Sequence, residues 1–210
     1  MKAVLKNGHL LFLALTALSL LMFFQPLKEL TKFSFSNHHY THIWLIPLAS
    51  LYFIFTERKE IFSETRFSPR AGTVLLLAGT AFYFTGSHFE TQLNVNDHTA
   101  AMTFSGLLFL HGAFLFSYGT RAYRKALFPL FFLVFMIPIP TFLMERIIDT
   151  LVAGSSHMTE ALFRITDTPF IRTDRIFQLP GISIEIADAC SGIRSSIALV
   201  ITMAVAGHMF

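Results

Sequence analysis

The chain has 210 residues, of which 53% are hydrophobic and 14% charged, with 25 phenylalanines and a mean hydropathy of +0.58. Soluble domains carry roughly 25% charged residues, so this composition excludes a soluble globule, a disordered chain and a disulfide-stapled secreted module, and leaves a polytopic membrane protein. The net charge of +3 comes from Lys and Arg placed between apolar runs rather than in one patch, which speaks for membrane topology and against nucleic acid.

Apolar runs at residues 9–24, 43–56, 71–86, 99–119, 127–143 and 193–210 predict an all-α polytopic membrane protein of about six transmembrane helices. Lys2 and Lys6 give the first run the start of a signal peptide. No small-x-small cleavage site follows, and Gln25-Pro26-Leu27-Lys28 reads as a loop, so the run is expected to be a retained helix. Under alternating spans Lys2, Lys6, Arg58, Lys59, Arg66, Arg70, Arg121, Arg124 and Lys125 fall on one side. The opposite loops hold Lys28 and Lys32 and no cation between 87 and 98. That asymmetry places the N-terminus in the cytoplasm and the stretch 144–192 on the extracytoplasmic face. Without a repeat or a low-complexity tract, residues 1–210 read as one membrane domain.

Pro129, Pro138 and Pro140 are expected to kink or end the fifth helix near the outer face, opening a lateral groove for a substrate helix beside Cys190. In the outer stretch Leu143, Ile147, Ile148, Leu151 and Val152 recur at helical spacing, and Met158, Leu162 and Ile165 resume it after Gly154-Ser155-Ser156. With Glu145, Asp149, Thr159 and Arg164 between them, they predict an amphipathic helix pair at the membrane surface or tucked between spans. Residues 175–179 and 182–186 then flank Pro180-Gly181, and the second of these stretches alternates with period two. They predict a small β-hairpin on the extracytoplasmic face that delivers the chain to Asp188-Ala189-Cys190.

Cys190 is the chain's single cysteine, so it builds neither an intramolecular disulfide nor a Cys-rich zinc site. A helix starting near Cys190 would leave unpaired N–H groups and a dipole that favour the thiolate. Arg194, four residues on, would project from the same face about 6 Å along the axis and stabilise the anion. A lone membrane cysteine is also common as buried filler, and both readings stand on physics alone. Asp188 reads as the N-cap of this helix, because as an anion it would oppose thiolate formation. Ser191 and Ser195 either line an oxyanion site or permit close helix packing.

The histidines offer less. His88, His98 and His157 share the side of Cys190 and read most simply as solvated loop residues. His38, His39 and His42 have metal-like spacing, but no carboxylate or cysteine accompanies them, so a headgroup-facing loop is the plainer reading. His111 lies mid-span and is expected to donate to a neighbouring helix. His208, 18 residues beyond Cys190, would lie about 27 Å away on a continuous helix and cannot be its base.

Ala189-Cys190-Ser191-Gly192-Ile193-Arg194-Ser195 resembles the signature of the exosortase/archaeosortase family of membrane transpeptidases. Phe135-Met136-Ile137-Pro138-Ile139-Pro140 and Leu179-Pro180-Gly181 fall where that family has similar pieces, so the resemblance covers residues 127–200 in order. It implies an integral-membrane cysteine enzyme that recognises secreted proteins by a C-terminal sorting signal: a motif of Pro-Glu-Pro type, a hydrophobic helix and a basic tail. Cys190 would be the nucleophile that forms a thioester with the substrate. Arg194 falls within the matched motif but is not the family's usual catalytic arginine, so its supporting role rests on the helix spacing above; Ser191, Gly192 and Ser195 are the candidate substrate contacts. The implied setting is the inner membrane, multi-pass, with Cys190 at the extracytoplasmic face. The implied partners are sorting-signal proteins and the lipid bilayer. Thioester chemistry requires no metal and no cofactor. The family also places a catalytic Arg, and a further His or Arg, on helices after the Cys helix, and the sequence reaches Phe210 without them. An inactive fragment, a subunit of a split enzyme and a non-catalytic scaffold that binds such signals are therefore the alternative readings.

Overall fold

Prolines, glycines and short polar breaks set where the helices of this chain end. The computed structural model describes residues 2–36, 43–188 and 192–209, and among these the side chains of all but 2–7, 33, 36 and 194. The chain divides into two units, Met1–Ile139 and Pro140–Phe210.

The first unit is helical: α1 (Lys2–Met22), α2 (Phe24–Ser36), α3 (Leu45–Thr56), α4 (Arg58–Ile61), α5 (Pro69–His88), α6 (Val95–Lys125) and α7 (Leu127–Phe132), followed by a 3₁₀ turn over Leu133–Met136. Gln25-Pro26-Leu27-Lys28 is not the loop its sequence suggests. It opens α2, which meets α1 at a bend of 63° around the buried Phe23. Pro26 fits there because a first-turn residue has no intrahelical partner for the N–H that proline lacks.

α5 and α6 form the central pair. Gly72 and Gly79 on α5 and Gly112 on α6 let the two backbones touch, so that a Cβ at Gly112 would lie 2.6 Å from the Leu76 nitrogen. Ser105 Oγ donates to the Gly79 carbonyl at 2.6 Å across the same seam. At the start of α6, Asn94 accepts from the Asp97 N–H at 2.8 Å, as an N-cap does. Gly119 (φ +83°) breaks the helix, and the Arg66 N–H donates to the Tyr118 carbonyl at 3.1 Å. Beside this break Ile61, Phe114, Tyr118, Ala122 and Leu130 pack into a buried cluster. His111 behaves as its mid-span position suggests: its ring nitrogens lie 2.8 Å from Tyr123 Oη and 3.2 Å from the Leu130 carbonyl on α7.

Among the described residues one helix, α6, is long and apolar enough to cross a membrane. The number rises to three if each of two bent pairs is one span: Gly8–Met22 with Phe24–Lys32, and Leu127–Met136 with Thr141–Ile165. By length and composition the described helices thus supply one to three of the six expected spans. α3 has 12 residues, short of the roughly 20 a span requires. α5 reaches 20 residues, but its glycines, threonines and serine dilute the apolar character. The fifth run leaves the helix after Phe132, and Ile137 is extended (ψ 122°) ahead of Pro138, because the residue before a proline avoids helical ψ. The architecture is that of a mainly helical membrane protein.

The second unit holds α8 (Thr141–Ile165), β1 (Ile171–Thr173), β2 (Ile176–Leu179), β3 (Ile182–Glu185) and α9 (Ile193–Met209). The expected helix pair is one continuous helix of 25 residues. An internal glycine costs only about 1 kcal/mol against alanine, too little to interrupt an apolar stripe that continues past it. The hairpin forms as the alternation and Pro-Gly predict, with Leu179 opposite Ile182 and Gly181 at φ +86°. That left-handed value is the one a type II turn demands after proline. β1 extends the hairpin to an antiparallel sheet of order β1-β2-β3. Asp174, at φ +54°, turns the chain between β1 and β2, and three residues are too few to show a period of two. Phe177 on β2 is fully buried, with its ring 5.6 Å from Phe163 of α8 and 5.8 Å from Phe170.

Candidate active site

The Asp149 carboxylate projects from α8, the Asp188 carboxylate follows β3, and one side chain joins them. Arg175, in the turn between β1 and β2, donates from one guanidinium nitrogen to Asp149 at 2.5 Å and from the other to Asp188 at 2.6 Å. Its carbonyl also accepts the Ile186 N–H at 3.0 Å. One residue therefore ties α8, the sheet and the chain leading to Cys190. A planar fork suits this task, because each arm holds its own carboxylate. The Asp149 hydrogen bond, with Asp188 as a second anion, holds the guanidinium above its ordinary pKa, so Arg175 stays a cation.

Asp188 is consequently not the N-cap that its position suggests. α9 begins at Ile193, and the Gly192 carbonyl accepts the first intrahelical bond from the Ser196 N–H at 3.0 Å. Gly192 occupies the cap position at φ +70°, a conformation that only glycine adopts without strain. Cys190 and Ser191 lie outside the described residues, as do His38, His39 and His42. Arg194 is the second residue of α9, and its side chain is likewise outside the description. α9 therefore begins after the left-handed Gly192. Gly192 and Ser195 are both exposed, and Ser195 lies in the first turn of α9.

A second ionic group joins β1 to α8. Glu160 of α8 accepts from Arg164 and from Arg172 of β1, each at 2.5 Å. The Arg172 guanidinium also lies 5.6 Å from the Phe177 ring centroid and 3.4 Å from His157 Nδ1. His157 thus lies on α8 beside β1, exposed but not in a loop. His98 is likewise not in a loop: it sits in the first turn of α6, 3.6 Å from Glu29 of α2. Arg172 and Arg175 were legible in principle. They flank Asp174 at the start of the hairpin, while Asp149 and Glu160, 11 residues apart, share one face of α8 after three turns.

In the first unit Leu133 and Met136 border an apolar cavity of about 370 Å³, together with Phe23, Leu30, Ile43 and Gly106. The lateral groove expected beside Cys190 involves residues outside the description.

Residues 34–210 match the family model described as Transmembrane exosortase (Exosortase_EpsH). The chain belongs to the transmembrane exosortase family. The match runs through both units and includes the segment around Cys190. No curated protein matches, and no solved structure does. Membership agrees with the resemblance carried by residues 189–195 and makes this chain one of a family of membrane enzymes that process sorting signals.

Proposed function

We propose that this exosortase is a cysteine endopeptidase or transpeptidase for secreted proteins whose C-terminal sorting signal carries a Pro-Glu-Pro type motif, a hydrophobic helix and a basic tail. The observation that carries this reading is the family match across the Ala189–Ser195 signature. Cys190 is the nucleophile. Its thiolate attacks the scissile carbonyl, a C–S bond forms and the C–N bond breaks. The amine departs with a proton taken from water, and water or an acceptor amine then takes the acyl group from the thioester, giving up a proton and returning the thiolate. Arg194 supports the anion from the first turn of α9, where unpaired N–H groups add positive potential. Ser191, Gly192 and Ser195 contact the substrate.

The ion pairs before the signature favour this chemistry. Asp188 lies two residues before Cys190, and an unpaired carboxylate there would raise the thiol pKa. Arg175 pairs it at 2.6 Å. The Lys/Arg asymmetry supports a cytoplasmic N-terminus and an extracytoplasmic Cys190 in the inner membrane.

The test is Cys190→Ala in cells that carry a tagged sorting-signal protein. The uncleaved precursor is expected to accumulate, and cleavage at the parent rate would overturn the nucleophile assignment. A membrane-impermeant maleimide applied to intact cells is expected to label Cys190. Labelling only after the membrane is opened would overturn the extracytoplasmic placement.

A further inference from the structure

β3 is an edge strand, and its open side bears a pattern that only an extended chain complements. Among the described residues it pairs with β2 alone, in a register that puts Leu179 opposite Ile182 and Phe177 opposite Ile184. The Ile186 N–H continues that ladder to the Arg175 carbonyl. In such a hairpin Ile182, Ile184 and Ile186 direct their main-chain groups toward β2, and the alternate residues Ser183 and Glu185 direct theirs outward. All four residues of β3 are exposed. Among the described residues no hydrogen bond reaches the outward N–H and C=O groups of Ser183 or Glu185.

Two observations select the occupant. The first is continuity: Glu185 precedes Cys190 by five residues, at most about 18 Å of chain, and the Arg175 bridge to Asp188 anchors the path between them. The second is size. A stable contact between two proteins needs roughly 20–30 residues on each side, whereas this edge offers two outward residues. It suits a peptide that binds and leaves better than a permanent second copy.

We propose that the stretch of substrate to be cleaved adds to β3 as a fourth strand, paired with the main chain of Ser183 and Glu185. This rests on the reading of Cys190 as the nucleophile and says how the scissile segment is held extended beside it. The peptide presents alternate residues to β3, and the residues between them face away with their N–H groups unused. Those positions accept proline, which has no N–H to lose. A Pro-Glu-Pro stretch meets this requirement with its glutamate toward β3.

The experiment uses the full chain carrying Cys190→Ala, in nanodiscs, and measures binding of a fluorescent peptide that spans the sorting motif. Ser183→Pro and Glu185→Pro each remove one outward N–H and leave the β2–β3 ladder intact, which hydrogen exchange at the Ile184 amide verifies. Each is expected to weaken binding about fivefold, one hydrogen bond's worth. Ser183→Ala and Glu185→Ala are expected to leave binding unchanged. N-methylation walked along the peptide is expected to weaken binding at every second residue. Undiminished binding by both proline variants, loss of binding in the alanine variants, or no period of two overturns the proposal. So does failure of the parent to bind the peptide. Proline variants that only convert a dimer to a monomer would assign the edge to a second copy and overturn it as well. Because binding is read without turnover, failure of the Cys190 assignment shows separately, as cleavage by the Cys190→Ala chain.

Discussion

Replacing Phe177 by alanine tests whether the sheet is held on α8 by a single buried ring. Phe177 is fully buried between Phe163 and Phe170, with centroid distances of 5.6 and 5.8 Å, under the Arg172 guanidinium. Truncating a buried phenylalanine to alanine costs roughly 3–5 kcal/mol. The two ring pairs account for about 1–3 kcal/mol of this at 0.5–1.5 each, and lost burial accounts for the rest. At about 1.4 kcal/mol per decade, local opening of the sheet rises roughly 100- to 4,000-fold. Phe177→Leu keeps most of the burial and loses the ring pairs, so it is expected to fall between the two. The assay is hydrogen exchange of the full chain in nanodiscs, read at the Phe177, Ile184 and Ile186 amides, which face the β2–β3 ladder. Protection is expected to drop at these amides and to persist along α5 and α6 in the other unit. Processing of a sorting-signal substrate is expected to fall in parallel. Unchanged protection in Phe177→Ala would show that the ion pairs of Arg172 and Arg175 hold the sheet without the ring.

Gly119→Ala is expected to disrupt the first unit, because the added Cβ would lie 1.8 Å from the Arg66 carbonyl at a residue with φ +83°. Thermal unfolding in detergent reads the effect, and a melting temperature equal to the parent's would contradict the close approach. Arg175→Met is expected to free Asp188 and lower kcat/KM for sorting-signal cleavage without lowering expression. Arg175→Lys, which has a single charge centre in place of two arms, is expected to recover only part of the activity. Both partner carboxylates are exposed, so added salt is expected to erode the parent's advantage over Arg175→Met. Salt-independent rates would argue against an electrostatic role.

Much of the second unit can be read along the chain because its signals are local. Pro180-Gly181 prescribes its turn whatever surrounds it, and the alternation of Ile182, Ile184 and Ile186 names the face that pairs with Leu179 and Phe177. The apolar stripe of α8 has the same quality. The signature around Cys190 is also a local pattern, and the family match covers it. The helix starts later than its local signals indicate, because Asp, Ser and Gly are all competent caps. The choice between Asp188 and Gly192 depends on a partner 13 residues earlier: Arg175 engages Asp188 and leaves the cap to Gly192.

What the amino-acid order determines by itself is therefore the membrane character, the helical and hairpin periods, and the segment that carries the thiol, because hydropathy and turn chemistry act within a few residues. How the apolar runs are spent was decided only in three dimensions. Bends between consecutive helices, the glycine seam between α5 and α6 and the Arg175 bridge all join groups that are distant or differently oriented in the chain. Backbone approach and charge pairing depend on position in space, and a composition window has no access to either.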